Sequence, residues 1–319
     1  MKLTYSFDTN KEAPEIVMEL PLSEIEDMFL SIANRERRNG DSLYQQKHIL
    51  GTQPTSERKK ELSDINITIP EHFQKNFGID NVLQVKERYL VLGVGDCTAN
   101  LFRPTFDASK KNPLFFLNDE PIEQKEYYGF IVKKEKEKTT LQMEKIIFRE
   151  GMPLENGKRI DHLKWLFCST PLVYKGDVVS SMEMVINDYD LRHTFGKSAK
   201  KLTNELYFRL RESYDKFVEM VEKNRSRILT TGSEVEWYHA GIGIKENKII
   251  VIHNIGSLLE LAVKFKDLGV NDAVLLDSGG SSVIWANWNK GGTIAHYLNY
   301  RPKRGAIIII KTKGQLFRS

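Results

Sequence analysis

The chain has 319 residues, 40% hydrophobic and 28% charged, enough for one large domain or a domain with an extension, and unlike collagenous or low-complexity chains. Lysine and arginine total 47 against 43 acidic residues, a formal charge of +4, without the concentrated basic stripe of nucleic-acid binders. The longest apolar runs, such as Ala306 to Ile310, fall far short of a membrane span, so neither nucleic acid nor a membrane is expected as a partner.

The first twenty residues carry acids and a proline where a signal peptide has an unbroken apolar stretch, which argues against export by that route. Cys97 and Cys168 are too few for a disulfide framework and are expected to be reduced thiols in a cytoplasmic protein. No Cys or His cluster has the spacing of a structural zinc site, and no cofactor is expected; a cation shared by Asp277 and Asp96, should they converge, stays open.

Residues 1–80 read as a helical N-terminal extension. Ser23 followed by Glu26 matches a capping box, and Ile25, Met28, Phe29 and Ile32 then form one helical face. That face needs a cover, which makes this segment a possible docking site for a protein partner. The polar run Gly51 to Asp64 reads as a linker. From Arg88 onward short β-type runs take over: Arg88 to Asp96, Pro113 to Ile122, Tyr127 to Val132, Thr139 to Phe148 and Trp165 to Val179, with turns at Asn118-Asp119 and Lys175-Gly176. Ser198 to Arg227 is the longest helical pattern, with Leu202, Leu206, Leu210, Tyr214, Phe217 and Val221 on one stripe. Its basic residues read as a solvated face.

The last third is the most ordered. His239 to Ile244, a turn at Glu246-Asn247 and Lys248 to His253 form a hairpin pattern. A helix follows, with Ser257 as N-cap and Gly269 as its stop. Three further strands are expected at "AVLLD", "SVIWA" and "GAIIIIK". A strand, helix, strand order of this length fits a parallel pair covered by the helix. The fold class is therefore α+β, a mixed sheet with packed helices over residues 81–319, with a helical insertion near 198–227 and the extension 1–80.

The stretch Val274 to Trp285, "VLLDSGGSSVIW", ends a buried strand on a carboxylate and crosses four small residues. With the later "RPKRGAIIII" it resembles the phosphodiester glycosidase family, which shows Leu-Asp-Gly-Gly-Gly-Ser at this strand end and an Arg-Pro step before its last strand. Here these are Leu276 to Ser281 and Arg301-Pro302. The hairpin "HAGIGI" stands where the family has Arg-Thr-Ala-Ile-Gly-Ile, so His239 replaces an arginine. Ser278 replaces the first glycine of the turn, and "GDCTANLF", Gly95 to Phe102, is a degenerate counterpart of an Asn-Gly-Gly motif. The likeness covers Tyr238 to Lys311 and extends more faintly back to Arg88.

The resemblance implies a hydrolase acting on a sugar joined to a phosphodiester, a small-molecule or glycan substrate. Asp277 would be the catalytic carboxylate, stabilising charge on the sugar ring or placing a water; the competing reading is an acid that caps the turn through the N–H groups of Gly279 or Gly280. Ser278, Gly279, Gly280, Ser281 and Ser282 would floor the site, and Arg301 would clamp the phosphate. His239 either binds phosphate and relays protons or partners Asp277. Asp96 and Thr98 would reach the crevice from a neighbouring strand end, Asp96 as the second carboxylate. Trp285, Trp288, His296 and Tyr300 lie between the turn and Arg301, where aromatics stack on sugars or fill a core. The alternative function is a non-catalytic protein that sequesters a sugar phosphate or nucleotide-like anion.

Overall fold

The computed structural model describes residues 2–8, 13–33, 67–81, 87–95, 104–111, 113–115, 125–187, 214–226, 237–278, 283–287, 293–297, 303–304 and 306–313. In chain order, β1 (Lys2–Asp8) and β2 (Ala13–Pro21) pair as a hairpin, and a single 3-10 turn leads to β3 (Ile25–Ile32). Then come β4 (Ile67–Thr68), α1 (Ile69–Phe77), β5 (Arg88–Gly95), β6 (Thr105–Asp107), β7 (Leu114–Phe115), β8 (Tyr127–Glu135) and β9 (Lys138–Arg149). Next are β10 (Met152–Glu155), β11 (Lys158–Arg159), β12 (Leu163–Cys168), β13 (Pro171–Tyr174), β14 (Asp177–Val178), α2 (Ser181–Asn187) and α3 (Tyr214–Lys223). The last third holds β15 (Trp237–Lys245), β16 (Lys248–Gly256), α4 (Leu258–Asp267) and β17 (Asp272–Ser278), then β18 (Val283–Asn287), β19 (Thr293–Tyr297), β20 (Lys303–Arg304) and β21 (Ala306–Thr312).

Three larger sheets result. Their orders are β1-β2-β16-β15-β17-β13-β14, β11-β10-β9-β8-β12-β6-β7 and β19-β18-β5-β21-β3, with β20 and β4 as a separate pair. All three sheets face one interior. Met18 and Leu20 of β2, Val251, Ile242 and Val274 come from the first sheet, Phe130, Trp165 and Phe167 from the second, and Met28, Leu92, Ile308 and Ile310 from the third. Helices cover outer faces. Leu261, Ala262 and Phe265 of α4 pack on Leu172, Ile250, Ile252 and Leu275, while Ile69 and Phe73 of α1 pack on Tyr89, Val91, Trp285 and Ile309. The architecture is α+β.

The N-terminal segment corrects the helical expectation. Residues 2–8, 13–21 and 25–32 are strands, with β2 paired to β16 and β3 to β21, so this part of residues 1–80 is built into two sheets. The capping box expected at Ser23 and Glu26 does not form; Leu22–Glu24 is one 3-10 turn entered from Pro21. The misreading has a physical cause. Strand β3 is covered on both faces, with Met28, Leu30 and Ile32 inward and Phe29 edge-on to Phe77 of α1 at 4.9 Å. A single apolar residue on the outer row, Phe29 between Asp27 and Ser31, blurs the alternation that distinguishes a strand from a helix.

The sheet also differs from expectation, because every described strand pair is antiparallel. Strands β16 and β17, joined by α4, are not hydrogen-bonded to each other. Strand β15 lies between them, antiparallel to both. Strand β18 does not return to that sheet; it pairs with β5 and β19, so the segment after Ser278 connects two sheets. Helix α4 has the expected limits: Ser257 accepts from the Glu260 N–H, the Glu260 carboxylate accepts from the Ser257 N–H, and Gly269 follows at φ +72°. Of the long helical pattern, Tyr214–Lys223 is α3, with Phe217 and Val221 buried; Leu202, Leu206 and Leu210 lie outside the described residues, as does the turn at Asn118-Asp119.

Two features lend themselves to measurement. A Cβ on Gly243 would sit 2.6 Å from Val270 Cγ1 and 3.1 Å from the Asp272 carbonyl oxygen, so Gly243→Ala should destabilise the chain by about 1–3 kcal/mol in urea unfolding. Asp27 ties β3 to the second sheet, accepting from Lys134 at 2.8 Å, Lys164 at 2.5 Å and the Met28 N–H at 2.8 Å. Burial pushes its carboxyl up, but the two amines outweigh burial and hold it below its ordinary value. Its contribution is therefore complete above the unfolded-state value near pH 4 and disappears as pH falls through the lower folded value. Asp27→Asn should cost about 2 kcal/mol at pH 7, and this difference from wild type should shrink below about pH 4.

Candidate functional site

The site starts from the thinness of β15. Gly241 and Gly243 present no side chain to α4, and a Cβ on Gly241 would lie 2.6 Å from Phe265 Cε2. The helix therefore lies close on β15. Near its end, β17 carries a bulge: Ala240 faces Asp277 while the next residue, Gly241, faces Leu275. Leu276 is the extra residue. The shift sets Asp277 opposite Ala240 and Ser278 opposite His239, the kind of re-aiming that bulges provide beside functional sites.

From the other side, β16 sets His253 opposite Ala240 and Asn254 opposite His239. Two rows of residues thus cross the sheet: His253, Ala240 and Asp277 in one, Asn254, His239 and Ser278 in the next. Residues directly opposite in antiparallel strands share a face. His239 is 0% exposed, His253 and Asn254 are each 1%, and Asp277 is 4%. Polar side chains this deeply buried need partners or a ligand. His239 Nδ1 and Ser278 Oγ are 2.7 Å apart, and the Ser278 N–H donates to Asp277 Oδ1 at 2.7 Å. That second bond is a local one; Gly279 and Gly280, the expected turn-capping donors, lie outside the described residues. It fixes the carboxylate while leaving Asp277 within the strand end.

The structure brings His239 and Ser278 together on one face of the sheet, and sets Asp277 in the adjacent row with Ala240, on the opposite face. Asp96, Thr98, Gly279, Gly280, Ser281, Ser282 and Arg301 lie outside the described residues, as do Trp288 and Tyr300. The strand ends that flank those segments converge. Gly95, the last residue of β5, pairs with Ala306, the first of β21, and β18, starting at Val283, is antiparallel to β5 with Ile284 opposite Leu92. All three strand ends lie at the same end of the five-stranded sheet, and only the residues between Ser278 and Val283 separate β17 from β18 in the chain. Trp285 is not available to a sugar: it is 6% exposed and packs on Phe73 at 6.1 Å. His296 lies on β19 opposite Ile284, and Lys303 and Arg304 pair with Thr68 and Ile67.

His253 and Asn254 were not singled out by the sequence reading. The available signal was an apolar run, Ile249 to Ile252, closed by two polar residues, the pattern that drew attention to Asp277. Lys125 is a further buried polar group, 3% exposed, with Nζ 3.4 Å from Asn187 Oδ1 and 3.5 Å from the Ile186 carbonyl oxygen. Burial pulls its amine down to about 7, against the opposing pull of Glu183. Asn187 in turn accepts from Thr170 Oγ1 at 2.8 Å, and the Thr170 carbonyl accepts from the Leu275 N–H at 2.9 Å. A polar chain thus runs from Lys125 to the strand that carries Asp277. Nothing in the sequence around Lys125 announces its burial. Cys168 is a buried free thiol, and burial pushes its pKa up; Cys97 lies outside the described residues.

Among the described residues, no group of three or more His, Cys, Asp or Glu side chains is placed to hold a metal ion, and no helix is long and apolar enough to cross a membrane. No family model matches the chain, and no curated protein matches it. Among solved structures it is similar to the zebrafish N-acetylglucosamine-1-phosphodiester alpha-N-acetylglucosaminidase catalytic domain auto-inhibited by its pro-peptide. The identity is 13% and the TM-score 0.47, over 98% of this chain and 82% of that one. A hypothetical protein from Synechocystis gives 9% and 0.35 over 97% and 61% of the two chains. A putative exported protein from Burkholderia pseudomallei gives 10% and 0.34 over 93% and 73%. At TM-scores below 0.5, the function has to be read from the site itself.

The clasp between His239 and Ser278 can be tested by removing one hydroxyl. Ser278→Ala should leave a buried imidazole nitrogen without that partner and cost about 1–2 kcal/mol in urea unfolding. The same substitution should move the His239 ring resonances in NMR spectra.

Proposed function

We propose that the protein is a hydrolase that releases a sugar from a phosphodiester attached at its anomeric carbon. One observation carries this reading: a buried carboxylate, Asp277, stands next to last in β17, and the following residue, Ser278, clasps a buried imidazole, His239, at the same strand end. The acid-glycine turn and the later Arg-Pro step, in the order the phosphodiester glycosidase family shows, support it.

The chemistry asks little of a general acid, because a phosphate is already a good leaving group. Water bonds to the anomeric carbon as the bond from that carbon to the phosphate oxygen breaks. The phosphate leaves as a monoester with one more negative charge, and the proton given up by the water passes to a base. Asp277 is the carboxylate that stabilises positive charge on the ring and directs the water. His239 is assigned as the proton carrier at the same strand end, with its ring orientation fixed through Nδ1 by Ser278. Arg301 is assigned to the phosphate oxygens, together with main-chain N–H groups of Gly279 to Ser282. Asp96 is assigned as the second carboxylate and Thr98 as a substrate hydroxyl contact.

A second reading, a protein that binds a sugar phosphate without cleaving it, is favoured by one observation: histidine stands at position 239 where the resembling family has arginine. Product analysis separates the two readings. Wild type should release free sugar from a sugar-1-phosphodiester, and Asp277→Asn should lower that rate by at least about a hundredfold while the circular dichroism spectrum is kept. Sustained release by the variant removes the role assigned to Asp277; intact ligand recovered from wild type supports the binder.

A further inference from the structure

We infer that Asn254 reads the ligand: its carboxamide, at the end of β16 beside His239, takes a pair of adjacent hydroxyl groups of a sugar. The inference rests on the reading of this strand end as a sugar site and names the residue that distinguishes the sugar from its phosphate.

The starting point is a buried amide with nothing to bond. Asn254 is 1% exposed, and both Nδ2 and Oδ1 are buried without a hydrogen-bond partner. Native folds seldom leave both ends of a carboxamide so placed, and each instance calls for a specific explanation. This chain satisfies its other deeply buried asparagine: Asn187 Nδ2 donates to the Glu183 carbonyl at 2.9 Å and to Glu183 Oε1 at 3.3 Å, and its Oδ1 faces Lys125. Helix capping does not account for Asn254 either. The N-terminus of α4 is closed by Ser257 and Glu260, whose side chains and N–H groups bond reciprocally at 3.1 and 2.8 Å.

Position supplies the second half of the argument. Asn254 lies directly opposite His239, which lies directly opposite Ser278. The three side chains share a face of the sheet, and the His239–Ser278 bond occupies its far side. Asn254 is therefore the polar group next in line from Ser278 and His239, held by a ladder rather than by a loop.

The chemistry of the group selects its ligand. A carboxamide offers a donor and an acceptor side by side. A phosphate or carboxylate offers acceptors alone and would set its lone pairs against Oδ1. A vicinal diol matches both ends: one hydroxyl oxygen accepts from Nδ2 and the next hydroxyl donates to Oδ1. A site built to hydrogen-bond hydroxyls rejects analogues that lack them, because its own buried groups then stay unmatched.

Two variants and two probes test this on the full chain. Asn254→Leu replaces the amide with an apolar group of similar shape, and Asn254→Asp keeps the shape but removes the donor. Calorimetry should show glucose 1-phosphate binding to wild type more tightly than inorganic phosphate does. Each variant should weaken glucose 1-phosphate by about tenfold or more, and Asn254→Leu, which adds no charge, should leave inorganic phosphate unchanged. Asn254→Leu should also raise Tm, since it removes a buried polar group that the free fold does not satisfy. A lower Tm or failure of that variant to fold shows that the carboxamide serves the fold, through a buried water for instance, and overturns the inference. Unchanged affinity for glucose 1-phosphate, parallel loss for both probes in Asn254→Leu, or no preference by wild type overturns it as well. The readout is independent of turnover: a wild type that prefers glucose 1-phosphate yet releases no sugar from any phosphodiester sinks the hydrolase and keeps the role of Asn254.

Discussion

The close seating of α4 on β15 is the constraint from which the site follows. Two glycines strip one face of β15, Phe265 and Val270 fill the space a Cβ would occupy, and the helix is pressed against the middle of the seven-stranded sheet. Because α4 joins β16 to β17, its position also fixes where those strands flank β15. The bulge at Leu276 then acts on a strand that has nowhere to slip. It turns the last two residues of β17 toward Ala240 and His239 rather than into another apolar row.

The polar cost of that arrangement is absorbed by a large apolar interior. Five positions at the end of the sheet, in two adjacent rows, carry imidazole, carboxamide, carboxylate and hydroxyl groups among residues exposed by a few per cent at most, Ser278 excepted. A small core would not tolerate them. Here three sheets contribute to one interior, and β2 and β3 supply a substantial share of it. The first thirty residues therefore matter to function through stability: they complete two of the sheets whose edges converge beside Asp277.

Much of the last third was legible in the sequence, since local signals and tertiary structure agree there. Ser257, Glu260 and Gly269 bound α4 as their chemistry requires, and the turn at Glu246-Asn247 joins β15 to β16. The misreadings have separate physical origins. In the stretch from Ile25 to Ile32, Phe29 on the outer row joins Ile25, Met28 and Ile32 in a spacing that mimics a helical stripe; only pairing with β21 decides it. The expected parallel pair failed because an intervening strand, β15, satisfies both neighbours with antiparallel ladders. Helix α1 was overlooked although Thr68, Glu71 and Gly78 carry a capping box and a left-handed stop. Of the site, Asp277, His239 and Ser278 were legible as strand-end polar residues. Asn254 acquires meaning only from the register that sets it opposite His239, and Lys125 only from three-dimensional burial.

The proposed reaction is carbon–oxygen cleavage at a sugar, in which the phosphate is left untouched. That assignment differs from phosphodiesterase chemistry by the bond that breaks, and isotope placement reads it directly. Turnover of a sugar-1-phosphodiester in 18O-labelled water, followed by mass spectrometry of both products, should put the label on the anomeric hydroxyl of the released sugar. Label on the phosphate, or no turnover at all, would contradict the account.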